Sequence, residues 1–514
     1  MNIGRLYRTI KHLTLTQIVY QIIFRIYSKK TLTDYHLRTI PNNKLSVDAI
    51  AKYDCLSNGK FNFLNITNNF SDWNNTQHGM LWAYNLNYMD WLNQKEISEN
   101  DGIKWIDEFI AHLDKNTVGL DPYPTALRCI NWIKFFSKYP DSISLKRVNS
   151  LYSQCKLLAR NLEYHLLGNH VLEDAYSLYI CSIFFNDTKL YEKSYKILQE
   201  QLSEQILDDG AHFEQSVMYH CILLDRLLDC INISTSNIFI NRQNQDNLFL
   251  KDMGIKMLGH LDEIIFDDGN IPLLNDSAYN IAPTAQQLFE YAKKLKINWQ
   301  PLKLSESGYR KLRNSKFEVI VDLGKITATY QPGHSHADGL SYILKIAGKL
   351  FIVDTGTSTY NKTDRRQYER STAAHNTVMI DNKDSDEVWG GFRVGYRSNT
   401  KISSITPNYI SATLTGFGSN LKHNRVFKIT ADSFTVEDTI SSQHTGVSFI
   451  HLAPEIKEIH VINNTIYTNN HIIHTKNAKF IKITDNTVSS QYNQFEKIKV
   501  IELHFNDFVQ YSIQ

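Results

Sequence analysis

The spacing of apolar residues changes once along this chain, and that change limits the fold more than any other feature. From about residue 75 to 300, segments such as IKWIDEFIAHL, SLYSQCKLLARNLEYHLL and QSVMYHCILLDRLLDCI carry apolar residues at i, i+3 and i+4. That spacing sets one face of a helix against a core. Short breaks such as Gly168-Asn169-His170 and Asp208-Asp209-Gly210 separate the helices. Many successive antiparallel helices predict a solenoid of pairs or a closed α/α toroid, and periodicity does not decide closure. From about residue 315 the segments become short and rich in β-branched residues: FEVIVDLG, KITATY, SYILKIAG, NTVMID, RVFKIT and SFTVEDTI. Asn, Asp, Gly and Ser turns separate them, the texture of a large antiparallel sandwich. A chain of 514 residues exceeds what one core fills. The division we expect is 1–45, a basic amphipathic segment; 46–308, a helical domain; and 309–514, a β domain. A cleft between two domains is a common place for a site.

Composition excludes some classes. A formal net charge of +2 gives no field suited to nucleic acid. The aromatic share of 12% suits sugar stacking, although core packing explains it equally. None of the six Cys forms a CxxC pair, and most sit in apolar helical context, as buried free thiols do. The first segment holds Arg5, Arg8, Lys11, Arg25, Lys29 and Lys30 around apolar positions at helical spacing. It reads as a helix packed on the body of the protein or as a peripheral membrane-surface helix. It lacks the small-residue cleavage site of a secretory signal, so a cytoplasmic location is expected, with membrane association as a variant.

Four segments concentrate polar chemistry. In GNHVLEDAY, Asn169 suits a helix N-cap and Glu173 a capping box, which leaves His170 unexplained. In DDGAHFEQSVMYH, the turn at Asp209-Gly210 leads into a helix bearing Glu214, Tyr219 and His220, which read as a site or as satisfied core residues. In PGHSHADGLSYILKI, His334 and His336 alternate and on a strand would face one side. In the fourth, Asp354 ends an apolar strand and His375 begins another. Arg365, Arg366 and Arg370 lie between them as a possible anion clamp or a solvated surface. A set of His334, His336, Asp354 and His375 drawn from neighbouring strands suits zinc, with one of the first two histidines left for substrate as the alternative, and it is less specific than paired CxxC.

These segments together resemble the heparinase II/III family of polysaccharide lyases, including its alginate-lyase-like relatives. LWAYNLNYMDWL, DPYPTALRCINWIKFF, GNHVLEDAYSLYICSIFF, DGAHFEQSVMYH, GHSHADGLSYIL with VDTGTSTYN, and RSTAAHNTVMIDNKDSDEVWGGFRVG match it in order. The resemblance implies an incomplete α/α toroid followed by an antiparallel β-sandwich, acting on a uronate-containing glycan. It implies that Asn169, with His170 and Glu173, neutralises the substrate carboxylate. It gives proton transfer to Tyr219 and His334, and a structural zinc to His336, Asp354 and His375. Tyr123, Arg128 and Arg370 are candidates for substrate recognition.

The chemistry expected is β-elimination. The C5 proton of a uronate is abstracted only if the carboxylate beside it is first neutralised by fixed donors. A base then takes the proton and an acid protonates the departing O4. Tyr ordinarily titrates near 10 and His near neutrality, so His needs less tuning to act as base. No organic cofactor is needed, since no Rossmann or P-loop glycine pattern is present. A uronate C5-epimerase would use the same groups and return the proton to the other face. A non-catalytic glycan-binding or assembly protein of exopolysaccharide synthesis is a rival of another class. A glycoside hydrolase would need two carboxylates astride the bond, for which Glu173, Glu214 and Asp209 are available.

Overall fold

The computed structural model describes residues 3–27 and 31–514. Lys29 and Lys30 of the basic segment lie outside the described residues. Helices run to Lys294 and the strands of the second half begin at Tyr309.

The helical half is an incomplete α/α toroid in two layers. Met80–Tyr88, Pro122–Lys138, Asn169–Phe185, Val217–Ser236 and Ala285–Lys294 form the inner row. Glu99–Ala111, Leu145–Arg160, Thr188–Gln205 and Gln243–Ile264 lie outside it. Inner helices pack on one another and on the outer helices between them. The sequence shows why. Asn169–Phe185 is buried on every side, through Val171, Leu172, Ala175, Leu178 and Ile183 among others. Thr188–Gln205 keeps Glu192, Lys196 and Glu200 exposed and turns Leu190, Ile197, Leu198 and Leu202 inward. Side-chain caps fix several starts, including Ser98, Ser144, Asp187 and Ser216, and Thr284 with Gln287 forms a capping box. Within the 46–308 segment there is also a small sheet of Leu56–Ser57, Lys60–Phe63 and Ile66–Asn69. Phe61 and Phe63 alternate on it and pack edge-on against Trp91, Trp105 and Trp82.

Every strand pair of the second half is antiparallel, with one isolated parallel bridge between Gly356 and Ser489. An eight-stranded sheet and two four-stranded sheets enclose a core of Val319, Val321, Leu344, Phe427, Val436 and Tyr511 among others. Phe317–Asp322 is buried on both faces. Its Val319 and Val321 enter the sandwich core, while Ile320, with Ile343 of the next strand, joins the helical core. One strand thus seals the two halves together.

KITATY does not form the expected strand. Residues 323–341 run without regular structure, so His334 and His336 sit on a loop. Tertiary hydrogen bonds satisfy its backbone: His336 N donates to Asn275 Oδ1, Ala337 N to Arg370 O, and His334 O accepts from Asp276 N.

The first segment packs on the body. Ile3–Ile10 holds Arg8 against Glu387, with Nε and a terminal nitrogen at 2.9 and 2.8 Å from its oxygens. From Leu15–Tyr27, Gln17 Nε2 donates to the carbonyls of Leu166, at 2.9 Å, and Tyr330, at 3.2 Å. Ile3, Leu15 and Ile26 stay exposed. Among the described residues no helix is long and apolar enough to cross a membrane. All six cysteines are buried and free, as read from the sequence.

Candidate active site

A cleft of about 1180 Å³ lies between the halves. The first turns of all five inner helices border it, through Met80, Tyr123, Asn169, Tyr219 and Ala285. The positive ends of these helix dipoles face the cleft and favour anions there. The loop of His334 closes the far side.

Asn169 is the first residue of its helix and not its cap; Gly168 holds that place, at φ 59°. A Cβ at Gly168 would meet Glu214 Oε1 at 2.5 Å, so only glycine lets the helix start so close to that carboxylate. Asn169 donates to Glu214 through two nitrogens, from its backbone N at 2.8 Å to Oε1 and from Nδ2 at 2.9 Å to Oε2 and 3.1 Å to Oε1. Its Nδ2 also stands 3.5 Å from His334 Nε2. The capping reading of Asn169 and Glu173 is therefore corrected. Glu214 precedes its helix, which begins at Val217, and serves as the carboxylate partner of Asn169.

Tyr219 sits on the first turn of Val217–Ser236, where the Ser216 hydroxyl accepts from its backbone N at 3.2 Å. Its ring stacks on His334 with centroids 3.9 Å apart, and Tyr360 Oη donates to its hydroxyl at 3.3 Å. Burial pushes the Tyr219 phenol far above its usual range, and nearby Asp276 and Glu214 push the same way. His220 is a core residue with a satisfied ring, its Nε2 at 3.0 Å from Met257 O.

His334 is oriented by Asp276, which lies 2.9 Å from Nδ1. Asp276 is fully buried and ringed by donors: His334, His336 Nε2 at 2.8 Å, the Thr357 hydroxyl at 3.2 Å, and both terminal nitrogens of Arg366. Burial alone would raise its pKa, but Arg366 and the two histidines hold it well below the usual carboxylate range. With Nδ1 donating to a fixed carboxylate, Nε2 of His334 is the nitrogen presented to the cleft.

His170 lines the cleft beside Tyr123, rings 4.9 Å apart. Its Nδ1 lies 2.9 Å from Glu163 Oε2. Burial works against its charge, yet Glu163 and the nearby Glu214 and Glu173 raise its pKa above the ordinary value. Glu173 does not reach the cleft. It is fully buried, neither oxygen has a hydrogen-bond partner, and Arg226 Nε is 3.7 Å away. Burial raises its pKa to about 7.

Two of the arginines expected at the substrate are corrected. Arg128 is buried against Phe109, donating to Gln154 Oε1 at 2.6 Å and to Asn87 O. Arg370 is buried and donates to Ser335 O at 2.7 Å. Neither lines the cleft. Arg365 pairs with Glu369 and Arg366 with Asp276, so the cluster stitches loops together and does not clamp an anion.

His336, Asp354 and His375 lie close together and buried. Among the described residues no three His, Cys, Asp or Glu converge as a metal-binding group. Asp354 is engaged with His375 Nδ1 at 2.7 Å and with Gly356 N at 3.0 Å. That makes it an orienting carboxylate, a correction to its expected place as a ligand. His336 Nδ1 and His375 Nε2 are buried without partners, their rings 5.2 Å apart. An ion held by these two imidazole nitrogens would need further ligands from outside the His, Cys, Asp and Glu of the described residues.

A helical toroid backed by an antiparallel sandwich is a fold shared by solved proteins. Heparinase III shares the fold at TM-score 0.65 and 16% identity, over 97% of this chain and 89% of that one. The chain belongs to the heparinase II/III family. The family model described as Heparinase II/III N-terminus matches residues 128–299, and Heparinase II/III-like, C-terminal matches 297–512. A heparin-sulfate lyase of Bacteroides stercoris is 25% identical over 320 residues, 56% of this chain and 46% of that protein. One of Pedobacter heparinus is 23% identical over 462 residues, 80% of this chain and 65% of that protein. The chain thus spans less than two thirds of either relative.

Proposed function

We propose that this protein is a polysaccharide lyase that cleaves a uronate-bearing glycan by β-elimination. The observation that carries the reading is the meeting of Asn169, Tyr219 and His334 around one point of the cleft, at 3.5 and 3.9 Å. The names of the two curated relatives support it. The substrate carboxylate seats against the Asn169 amide and the raised-pKa His170, with the inner-helix N-termini behind them. His334 Nε2 takes the C5 proton. The C4–O4 bond breaks, a C4–C5 double bond forms, and the Tyr219 hydroxyl gives its proton to O4. Tyr219 suits the acid step because burial keeps it protonated. A proton from His334 to Tyr219 by way of solvent resets the site.

Ultraviolet absorbance of the conjugated unsaturated product, scored over a panel of uronate polymers, tests the reading. Tyr219→Phe should lower kcat by about 10²–10⁴-fold. Cleavage at the wild-type rate would remove Tyr219 from the mechanism. Exchange of the C5 hydrogen without any chain cleavage would replace the lyase by an epimerase.

A zinc ion would be held by His336 Nδ1 and His375 Nε2, with Asp354 orienting His375, and would brace the loop behind His334. Metal analysis should find one zinc per chain, lost in the His336→Ala, His375→Ala double variant. Wild-type protein free of zinc would end that assignment.

A further inference from the structure

We infer that the cleft is built for an unsulfated uronate polymer. The inference rests on the lyase reading for its polymer class, and on the charges of the cleft for the absence of sulfate.

The cleft is lined by ten Asn and Gln and eight Tyr against four Lys and Arg. Three of those four cations are already neutralised by carboxylates of this chain. Lys52 Nζ is 2.7 Å from Asp90. Lys134 Nζ is 2.5 Å from Asp229. Arg226 is 2.7 Å from Asp225, with Asp229 at 3.6 Å and Glu173 at 3.7 Å. Asp90 and Asp225 line the cleft themselves. The fourth cation, Lys95, is exposed and has no acidic partner among the described residues. The arginine cluster between the β strands is also spent, on Glu369, Asp276 and the Ser335 carbonyl.

A sulfate group asks for something else. It keeps its charge at every working pH and is held by charge-assisted donors, above all by arginine forks whose charge is not already matched. A sulfated chain laid in this cleft would meet paired cations and the carboxylates that pair them. Like-charge contact with those acids works against it. One carboxylate at the reacting sugar, by contrast, is served by His170 Nε2, the ring nitrogen that Glu163 does not occupy, beside the Asn169 amide that Glu214 holds in place. Hydroxyl and N-acyl groups along the rest of the chain match the amides, and sugar faces match the tyrosines.

The test uses one backbone in two forms: an unsulfated glucuronate–N-acetylhexosamine polymer and the same polymer after chemical sulfation. Wild-type kcat/KM is read from the unsaturated product. Binding to the full-length Tyr219→Phe variant is read by calorimetry. The unsulfated form should be preferred by at least about tenfold in both, the worth of one charge-assisted contact. Asp90→Asn, which releases Lys52, should narrow the gap in binding. Equal or better binding of the sulfated form overturns the inference, and so does a gap that Asp90→Asn leaves untouched in folded protein. Preferential binding of the unsulfated form without any unsaturated product would instead sink the lyase reading and leave the charge preference standing.

Discussion

Two histidines of the β domain are held by buried aspartates in nearly equal geometry, and their difference shows where reactivity comes from. His334 is 2.9 Å from Asp276 and His375 is 2.7 Å from Asp354. In both, Nδ1 faces a buried carboxylate. In the first, Nε2 opens to the cleft beside Asn169 and the Tyr219 ring. In the second, Nε2 is sealed without a partner and can serve only structure or an ion. The carboxylate orients either ring; what the far nitrogen meets decides its task.

The largest expected effect breaks this comparison most directly. His334→Ala should cut kcat about 10³-fold, about 4 kcal/mol of transition-state stabilisation, with little change in melting temperature. His375→Ala should leave kcat of the folded fraction near wild type and melt earlier, by several kcal/mol, because the buried Asp354 carboxylate loses its hydrogen-bond partner and a cavity opens beside it. Equal loss of turnover in both would erase the distinction.

A smaller contrast concerns the acids. Asp276→Asn should lower kcat of the folded fraction about 10²-fold, since the ring is no longer held in one tautomer. Asp354→Asn should leave that kcat unchanged. Steady-state kinetics below the melting transition of each variant reads the difference.

The smallest effect extends the rule to a buried acid without donors. Glu173 is raised from 4.5 to about 7. A raised folded-state pKa contributes stability that is full below the unfolded value and lost as pH climbs through the folded one. Wild type should therefore lose about 2.5 kcal/mol relative to Glu173→Gln between about pH 4.5 and 7. Melting curves of the two proteins at several pH values check this. Parallel curves would show that Arg226 already compensates the charge.

Much of this was legible in the sequence because it follows local period. The helical row and the switch to strands come from spacing of 3.6 and 2. GNH and VMYH mark the two helix starts that carry Asn169 and Tyr219. The rest depends on convergence that no local pattern encodes. Asp276 lies in the plain loop NDSAYN and meets a histidine far along the chain. Glu214 was read as helical, whereas the helix starts three residues later and frees it to reach Asn169. The arginines of DRRQYER look exposed by composition, but burial against loop carbonyls and acids consumes them. His334 and His336 alternate as on a strand, yet their loop is shaped by its partners and not by a ladder.

Gln17 joins, through one amide, a carbonyl just ahead of Asn169 and another just ahead of His334. The front helix therefore acts as a clasp across the mouth of the molecule. Two loops that lead to opposite walls of the cleft are thereby tied to a single side chain of the first segment. Trimming that clasp would remove this tie and leave Asn169, Tyr219 and His334 themselves unchanged.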